Sequence, residues 1–567
     1  MGEAERLSGL VARLHRGPLS ILFLVMALAW LPGFFTLPPL DRDESRFAQA
    51  TKQMLETGDF ISIRLGDQAR DQKPVGIYWL QAAATSALDG FVPPGSKWRQ
   101  VWTYRVPSFL GAFAAVALTF WMARLFAGVE AGFLAALLLG FTLLLATEAK
   151  IAKTDAVLLA TILGSQSLIL RAFLGAHPLS PGVTPPGWRH AAFGWACFGF
   201  GMLVKGPIII ILCLATMIGV SIWDRRVWWL RHLRPLIGIP IALAIVLPWA
   251  IAIGIETSGQ FYEASLGRDF ALKLVGGQET HGAPPGYYLL LAPVTFWPAT
   301  LILLPALVYG FQHRREPAVR FILVWIVTAW VLFDAAPTKL PHYVLPTYPA
   351  LAMLGALWLT RGPTFPKTRM ERFALRASLA LFVLVGFALG GAVLYAPYQF
   401  GRGADIWAYY VVALAGLAVF AAAVVVARGW RIEGIGVAAV AALLLYAAAG
   451  LSSVAAMDQL QLSPLIARAV AGHQRAGDPP PLLAGYSEPS ALFLMGTNTR
   501  FATGADAGVM AAQSGGVVVV ERGEQEAFLG AVQQRAARAT PLQIIDGLNY
   551  SNGRALRLYV YRITPGG

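Results

Sequence analysis

The sequence predicts a polytopic α-helical membrane protein of about thirteen spans, followed by a small C-terminal α/β domain. Three observations carry that prediction. Of 567 residues, 56% are hydrophobic and 13% charged, and the mean hydropathy is +0.58, too apolar for a soluble chain. Apolar runs of span length recur from Pro18 to Val454. After Ser453 the pattern changes to short runs with strand character and one helical period.

In chain order, Arg6, Arg13 and Arg16 precede the first apolar run, and no small-residue cleavage site follows. The run therefore reads as a retained span. The candidate spans are Pro18–Pro38, Tyr104–Ala127, Glu130–Thr147, Ala156–Leu174, Ala191–Val204, Pro207–Trp223, Pro235–Ile255, Tyr287–Phe311, Phe321–Asp334, Val344–Leu359, Ala374–Leu394, Trp407–Ala427 and Ile435–Val454. Several are short or interrupted by Gly and Pro. Residues 1–455 thus form one membrane domain, and residues 456–567 a second, α/β unit.

Charge separates the loops into two sets. Arg124, Arg171, Arg225 to Arg234, Arg314 to Arg320, Arg361 to Arg376 and Arg428 to Arg431 lie in loops almost free of acid, which places those loops in the cytoplasm. The acids collect in the opposite set, which includes residues 39–103, the stretch around Asp155, Lys205, residues 256–285, and everything after Ser453. The opposite set therefore lies on the non-cytoplasmic face of the membrane.

The first long loop, 39–103, is the most polar stretch. Asp43 precedes a helix-compatible run from Glu44 to Thr57 that Gly58 ends, with Phe47, Met54 and Leu55 on one side. This pattern predicts an amphipathic helix lying in the membrane interface, and Ile77–Ala87 predicts a second. In the C-terminal domain, Leu482–Gly485 and Val517–Val520 predict buried strands, and Glu524–Arg538 predicts an amphipathic helix. Leu542–Asp546 and Arg554–Tyr561 predict a closing hairpin.

Composition also excludes some functions. The formal net charge of +14 is spread through short inter-span loops, which argues against nucleic acid as a partner. The only two cysteines, Cys197 and Cys213, lie in apolar runs, so neither a disulfide framework nor a thiolate metal site is expected.

The strongly polar clusters all fall on one side of the membrane. They are Asp41/Asp43/Glu44, Lys73, Lys150/Lys153/Asp155, Lys205, Arg268/Asp269, Glu279/His281 and Lys339/His342/Tyr343. Ionisable groups at a membrane edge face a cavity or one another. Carboxylates beside several cations suit a reaction on a phosphate-linked substrate: the cations hold the phosphate and a carboxylate takes a proton or orients a nucleophile.

The stretches Asp43-Glu44-Ser45-Arg46-Phe47, Met54 to Asp59, Lys73-Pro74 with Tyr78-Trp79, Lys153-Thr154-Asp155-Ala156, Leu203 to Pro207, Gly282 to Tyr288 and Lys339 to Tyr343 occur in one order. In that order the chain resembles the GT-C superfamily of lipid-linked-sugar glycosyltransferases, including the aminoarabinose transferases of lipid A and the protein O-mannosyltransferases. The resemblance implies thirteen spans, a periplasmic C-terminal domain, a polyprenyl-phosphate sugar as donor, and a lipid or glycan such as lipid A as acceptor. By the same resemblance, Asp43 is the catalytic aspartate; a helix N-cap is its alternative role. Glu44 and Asp155 stand beside it in the catalytic set, Asp155 either orienting a lysine or forming a membrane-edge ion pair. Lys73 and Lys205 grip the donor phosphate; the alternative for each is snorkelling to the interface. Arg268 adds a third contact or pairs with Asp269. Tyr78, Lys339, His342 and Tyr343 line the substrate pocket.

The chain departs from the family at Gln72, where relatives often carry an acid, and in having little His near His281. No cofactor is required; a divalent metal is left open, with transfer expected to survive EDTA. Two other readings stand beside this one, a protein O-glycosyltransferase and, in a different class, a lipid or sugar transporter or flippase. Transporters often show internal repeats, and none is evident here.

Overall fold

A computed structural model describes residues 17–265, 267 and 283–566. Among the described residues, eight helices are long and apolar enough to cross a membrane. A ninth span arises if Tyr287–Thr295 and Ala299–Gln312, bent by 111° at their break, are one. This is fewer than thirteen for identifiable reasons. Two candidate spans run together as helix Val101–Phe141, whose only interior break is Gly128 at φ 88 and ψ 177. Pro18–Trp30 and Ile208–Asp224 are apolar but short for a full crossing. Trp188–Lys205 is diluted by glycines and a charged start.

The first loop is built differently from the interfacial helix expected. Helix Asp43–Thr57 forms and ends at Gly58, whose φ of 73 is the left-handed cap that glycine adopts freely. Its polar side is nevertheless buried: Gln49, Thr51 and Lys52 are no more exposed than Phe47 and Met54. Helix Gly76–Ala87 packs on one side of it. Helix Pro489–Met495 covers the other. There Lys52 Nζ donates to the Phe493 carbonyl at 3.2 Å, and Gln49 Nε2 donates to Thr497 Oγ1 at 2.8 Å. The polar face is satisfied by protein rather than by headgroups.

The segment after Ser453 carries a five-stranded sheet. Its strands are β1 (Leu482–Ala484), β2 (Arg500–Ala502), β3 (Gly516–Glu521), β4 (Arg538–Asn549) and β5 (Arg554–Thr564). Their spatial order is β2-β1-β3-β5-β4. The β1–β2 and β1–β3 pairs are parallel, whereas β5 runs antiparallel to both β3 and β4. Alternation along β1 and β3 sends Leu483, Val517 and Val519 to one face, against Ile466. Leu482, Ala484, Val518 and Val520 go to the other, against Ala507, Ala511 and Phe528. Helices thus cover both faces of the sheet, which is why its central strands read as unbroken apolar runs. The helix expected over Glu524–Arg538 stops at Gln533, and Arg538 already begins β4.

Candidate active site

The entrance to helix Asp43–Thr57 is held from both sides. Glu44 is buried at 1% exposure, and each of its oxygens accepts two hydrogen bonds. Oε1 takes them from Arg105 Nε at 2.8 Å and the Ala152 amide at 2.9 Å; Oε2 takes them from the Arg105 guanidinium at 2.9 Å and the Leu40 amide at 2.8 Å. Arg105 spends its remaining donors on the carbonyls of Phe34, Leu37 and Pro38. The end of the first apolar segment, the loop helix and the turn before Asp155 are therefore joined through one buried ion pair. Glu44, expected in the catalytic set, has no lone pair left to accept a proton. Its role is to position its neighbours.

The residues before Asp43 are tied to the C-terminal segment. The Asp41 amide donates to the Tyr550 hydroxyl at 2.5 Å, Ser490 Oγ donates to the Asp41 carboxylate, and Arg42 donates to the Ser551 carbonyl. Burial raises the Asp41 carboxyl to about 6, with the Ser490 hydrogen bond opposing. Between these two anchors stands Asp43, half-buried at the first turn of the helix. Its carboxylate makes no hydrogen bond or ion pair among the described residues. Its charge still acts on Tyr78, Lys153 and His342.

Next to it lies a chain of alternating charges. Glu148 Oε1 meets Lys153 Nζ at 2.8 Å, Lys153 reaches Asp155 Oδ2 at 3.6 Å, and Lys205 Nζ donates to Asp155 Oδ1 at 2.6 Å. His342 Nε2 stands 3.8 Å from the same carboxylate. Burial raises the Glu148 carboxyl to about 7 against the opposing Lys153 charge. Asp155 and Lys205 line a cavity together with Lys73, His342 and Tyr343, and Lys205 Nζ sits 5.2 Å from the Tyr343 ring centre. The opposite wall is apolar, formed by Leu158, Ile208, Ile211, Leu332 and Phe333. A polar end and a greasy wall in one cavity suit an amphiphile with an anionic head.

The two cavity lysines stand on segments that touch through backbone. A Cβ placed on Gly76, just after Lys73-Pro74, would lie 2.8 Å from the Leu203 carbonyl oxygen. The glycine allows the Lys73 corner to press against the helix end that bears Lys205.

Two expected pocket residues, Tyr78 and Lys339, are not among those that line the cavity. Tyr78 is wholly buried, accepts a hydrogen bond from Arg70 Nε at 3.0 Å and packs on Phe47; burial raises its hydroxyl. It belongs to the packing under the loop helix, not to the cavity wall. Lys339 is buried and donates to the carbonyl of Ala336, itself a lining residue, at 2.8 Å. Arg268, with Asp269, Glu279 and His281, lies outside the described residues. Glu148 and Arg105, absent from the expected set, are central to the arrangement. The available signal was the same for both: a charge at the edge of a long apolar run. Among the described residues, no three His, Cys, Asp or Glu side chains converge as metal ligands.

With this geometry in view, similarities to known proteins can be placed. The family Dolichyl-phosphate-mannose-protein mannosyltransferase matches residues 41–259. The chain is 27% identical over 419 residues to an undecaprenyl phosphate-alpha-4-amino-4-deoxy-L-arabinose arabinosyl transferase of Pectobacterium carotovorum, covering 72% of this chain and 71% of that one. It is 30% identical over 372 residues to an enzyme of the same name from Pseudomonas fluorescens, covering 63% and 64%. The crystal structure of ArnT from Cupriavidus metallidurans bound to undecaprenyl phosphate superposes with a TM-score of 0.74 at 18% identity, over 98% of each chain. This last likeness is one of fold.

Proposed function

We propose that this chain is a lipid-linked-sugar glycosyltransferase of the GT-C superfamily that moves a sugar from a polyprenyl-phosphate donor to an envelope glycan or glycolipid on the periplasmic side of the inner membrane. In this reading the chain crosses the membrane thirteen times, and its C-terminal α/β domain lies in the periplasm beside the site. The observation that carries the mechanism is Asp43: a carboxylate with no partner among the described residues, standing between two rigid anchors and within electrostatic reach of the lysine-lined cavity.

Lys73 and Lys205 take the donor phosphate, and the apolar wall takes the start of the prenyl chain. Asp155 holds Lys205 at 2.6 Å before the donor arrives, so the phosphate enters by sharing or replacing that carboxylate. Glu148 keeps Lys153 beside Asp155, which leaves Asp155 compensated when Lys205 turns to the phosphate. Charge-assisted hydrogen bonds of this kind contribute about 1.5–3 kcal/mol each.

The acceptor oxygen then attacks the anomeric carbon as the carbon–oxygen bond to the phosphate breaks and its electron pair leaves with the polyprenyl phosphate. One displacement inverts the anomeric centre. For a hydroxyl acceptor, Asp43 removes the proton, a general-base contribution of about 10²–10⁴-fold. For a phosphate acceptor, already ionised, Asp43 orients it and faces the positive charge that develops on the sugar. Purified protein incubated with polyprenyl-phosphate sugar and envelope lipids tests the reading, with mass spectrometry of both pools. Gradient-independent consumption of donor and a matching mass gain in an acceptor are expected. Movement of intact donor lipid without cleavage would overturn it.

A further inference from the structure

We infer that the crevice at the carboxyl ends of β1 and β3 is a saccharide site that holds the acceptor's sugar portion near the Asp41 anchor of the loop that carries Asp43. The inference rests on the transferase reading for its purpose, but not for its geometry. In an open sheet with parallel strands, ligands settle outside the carboxyl ends where the chain switches direction. Here β1 is followed by β2 on one side and β3 on the other. The crevice at that point is a polar cavity of about 400 Å³, closed on its far side by the β4–β5 turn.

Its lining suits a polyol. Arg554 makes no hydrogen bond or ion pair through its guanidinium among the described residues. Asn552 uses its carbonyl oxygen on the Arg554 amide at 3.0 Å and keeps its amide hydrogens for a ligand. Glu521 engages one oxygen with the Gly523 amide at 2.7 Å and leaves the other open. Glu488 is fixed by Asn549 Nδ2 at 2.8 Å. Donors and acceptors thus alternate around a concave floor, as vicinal hydroxyls require. Two carboxylates against one guanidinium leave the crevice net negative. It therefore favours neutral or amine-bearing sugars over phosphorylated ones.

Position gives the site its meaning. Glu488 lies two residues before Ser490, and Asn549 one before Tyr550. Ser490 and Tyr550 are the residues that hold Asp41. A glycan seated in the crevice therefore stands next to the anchor of the loop that presents Asp43.

The test uses the full-length protein in lipid nanodiscs and saturation-transfer NMR with chitotriose and its de-acetylated, amine-bearing counterpart. Both should bind the wild type, the amine-bearing sugar more tightly. Arg554→Ala and Glu521→Gln, both at accessible positions, should each weaken binding about tenfold, the loss of one net hydrogen bond. Polyprenyl-phosphate binding should be unchanged in both variants. In transfer assays the same variants should raise the acceptor KM while leaving the donor KM alone. Saccharide binding unaffected by either change overturns the inference, as does a preference for glucose 6-phosphate. So does parallel loss of polyprenyl-phosphate binding, which would mean disturbance of the whole fold. If the wild type consumes no donor at all, the transferase reading fails, and the NMR result still decides the crevice separately.

Discussion

Glu44→Gln separates a structural carboxylate from a catalytic one. The change keeps the shape of the side chain but removes its charge and turns one acceptor oxygen into a donor. Glu44 receives four hydrogen bonds, two of them from Arg105. The glutamine amide must therefore point at a guanidinium or a backbone N–H, donor against donor. Arg105, at 1% exposure, keeps only its three carbonyl partners. Removing one member of a buried ion pair costs about 3–5 kcal/mol, and the donor clash places this case at the upper end. Thermal unfolding of purified protein in detergent, followed by intrinsic fluorescence, should show a large drop in midpoint. Arg105→Met should give a similar drop. The double variant should lose less than the sum, because the two changes remove one shared interaction. At low temperature the folded fraction of Glu44→Gln should retain measurable turnover. A variant with unchanged stability and no turnover would refute the structural assignment and return Glu44 to the chemistry.

Asp43→Asn should abolish transfer while polyprenyl-phosphate binding survives, since charge is lost and shape kept; near-normal turnover would remove Asp43 from the mechanism. Lys73→Ala and Lys205→Ala should each weaken donor binding, measured by competition with polyprenyl phosphate, and the double change should be less than additive if both grip one phosphate. For Asp41, the folded carboxyl is raised to about 6, so the folded state binds more protons than the unfolded one between roughly pH 4 and 6. Its contribution to stability is therefore present at low pH and lost as pH rises through 6. Asp41→Asn should melt higher than wild type at pH 7 and converge with it near pH 4, and parallel melting curves would contradict this. Transfer should survive EDTA, because Gln72 is a poor ligand and no three His, Cys, Asp or Glu side chains converge among the described residues; loss of activity on chelation, restored by zinc, would reverse that expectation.

Much of the architecture was legible because hydropathy and helix-stop chemistry are local. The loop helix ends at Gly58 where the sequence says it must, and Asp155, Lys205, Lys73, His342 and Tyr343 share a cavity. What sequence did not reveal was pairing at a distance. Glu44 reads as one acid among three, and nothing nearby announces Arg105 in helix Val101–Phe141, 61 residues on. Tyr78 and Tyr343 look equally suited to a pocket, yet Tyr78 is spent on Arg70 and Phe47 whereas Tyr343 stands beside Lys205. The polar face of helix Asp43–Thr57 followed the period expected for a lipid interface. Its cover comes from a seven-residue helix too short to leave a periodic signal. Glu148 was hidden for the opposite reason: it closes an apolar run, and only its pairing with Lys153 shows why a charge belongs there.

The order in which the chain is made gives one of these contacts a temporal consequence. The loop helix emerges early, but Asp41 waits for Ser490, 449 residues later, and Arg42 for Ser551, 509 residues later. Gln49 and Lys52 likewise stay uncovered until Thr497 and Phe493 arrive. A nascent or truncated chain can therefore insert its helices and present the cavity lysines while the segment bearing Asp43 remains unset. In the proposed mechanism, competence for transfer requires that the segment from Ser490 to Ser551 has docked. In that mechanism, a chain cut before Ser490 occupies the membrane without spending lipid-linked sugar.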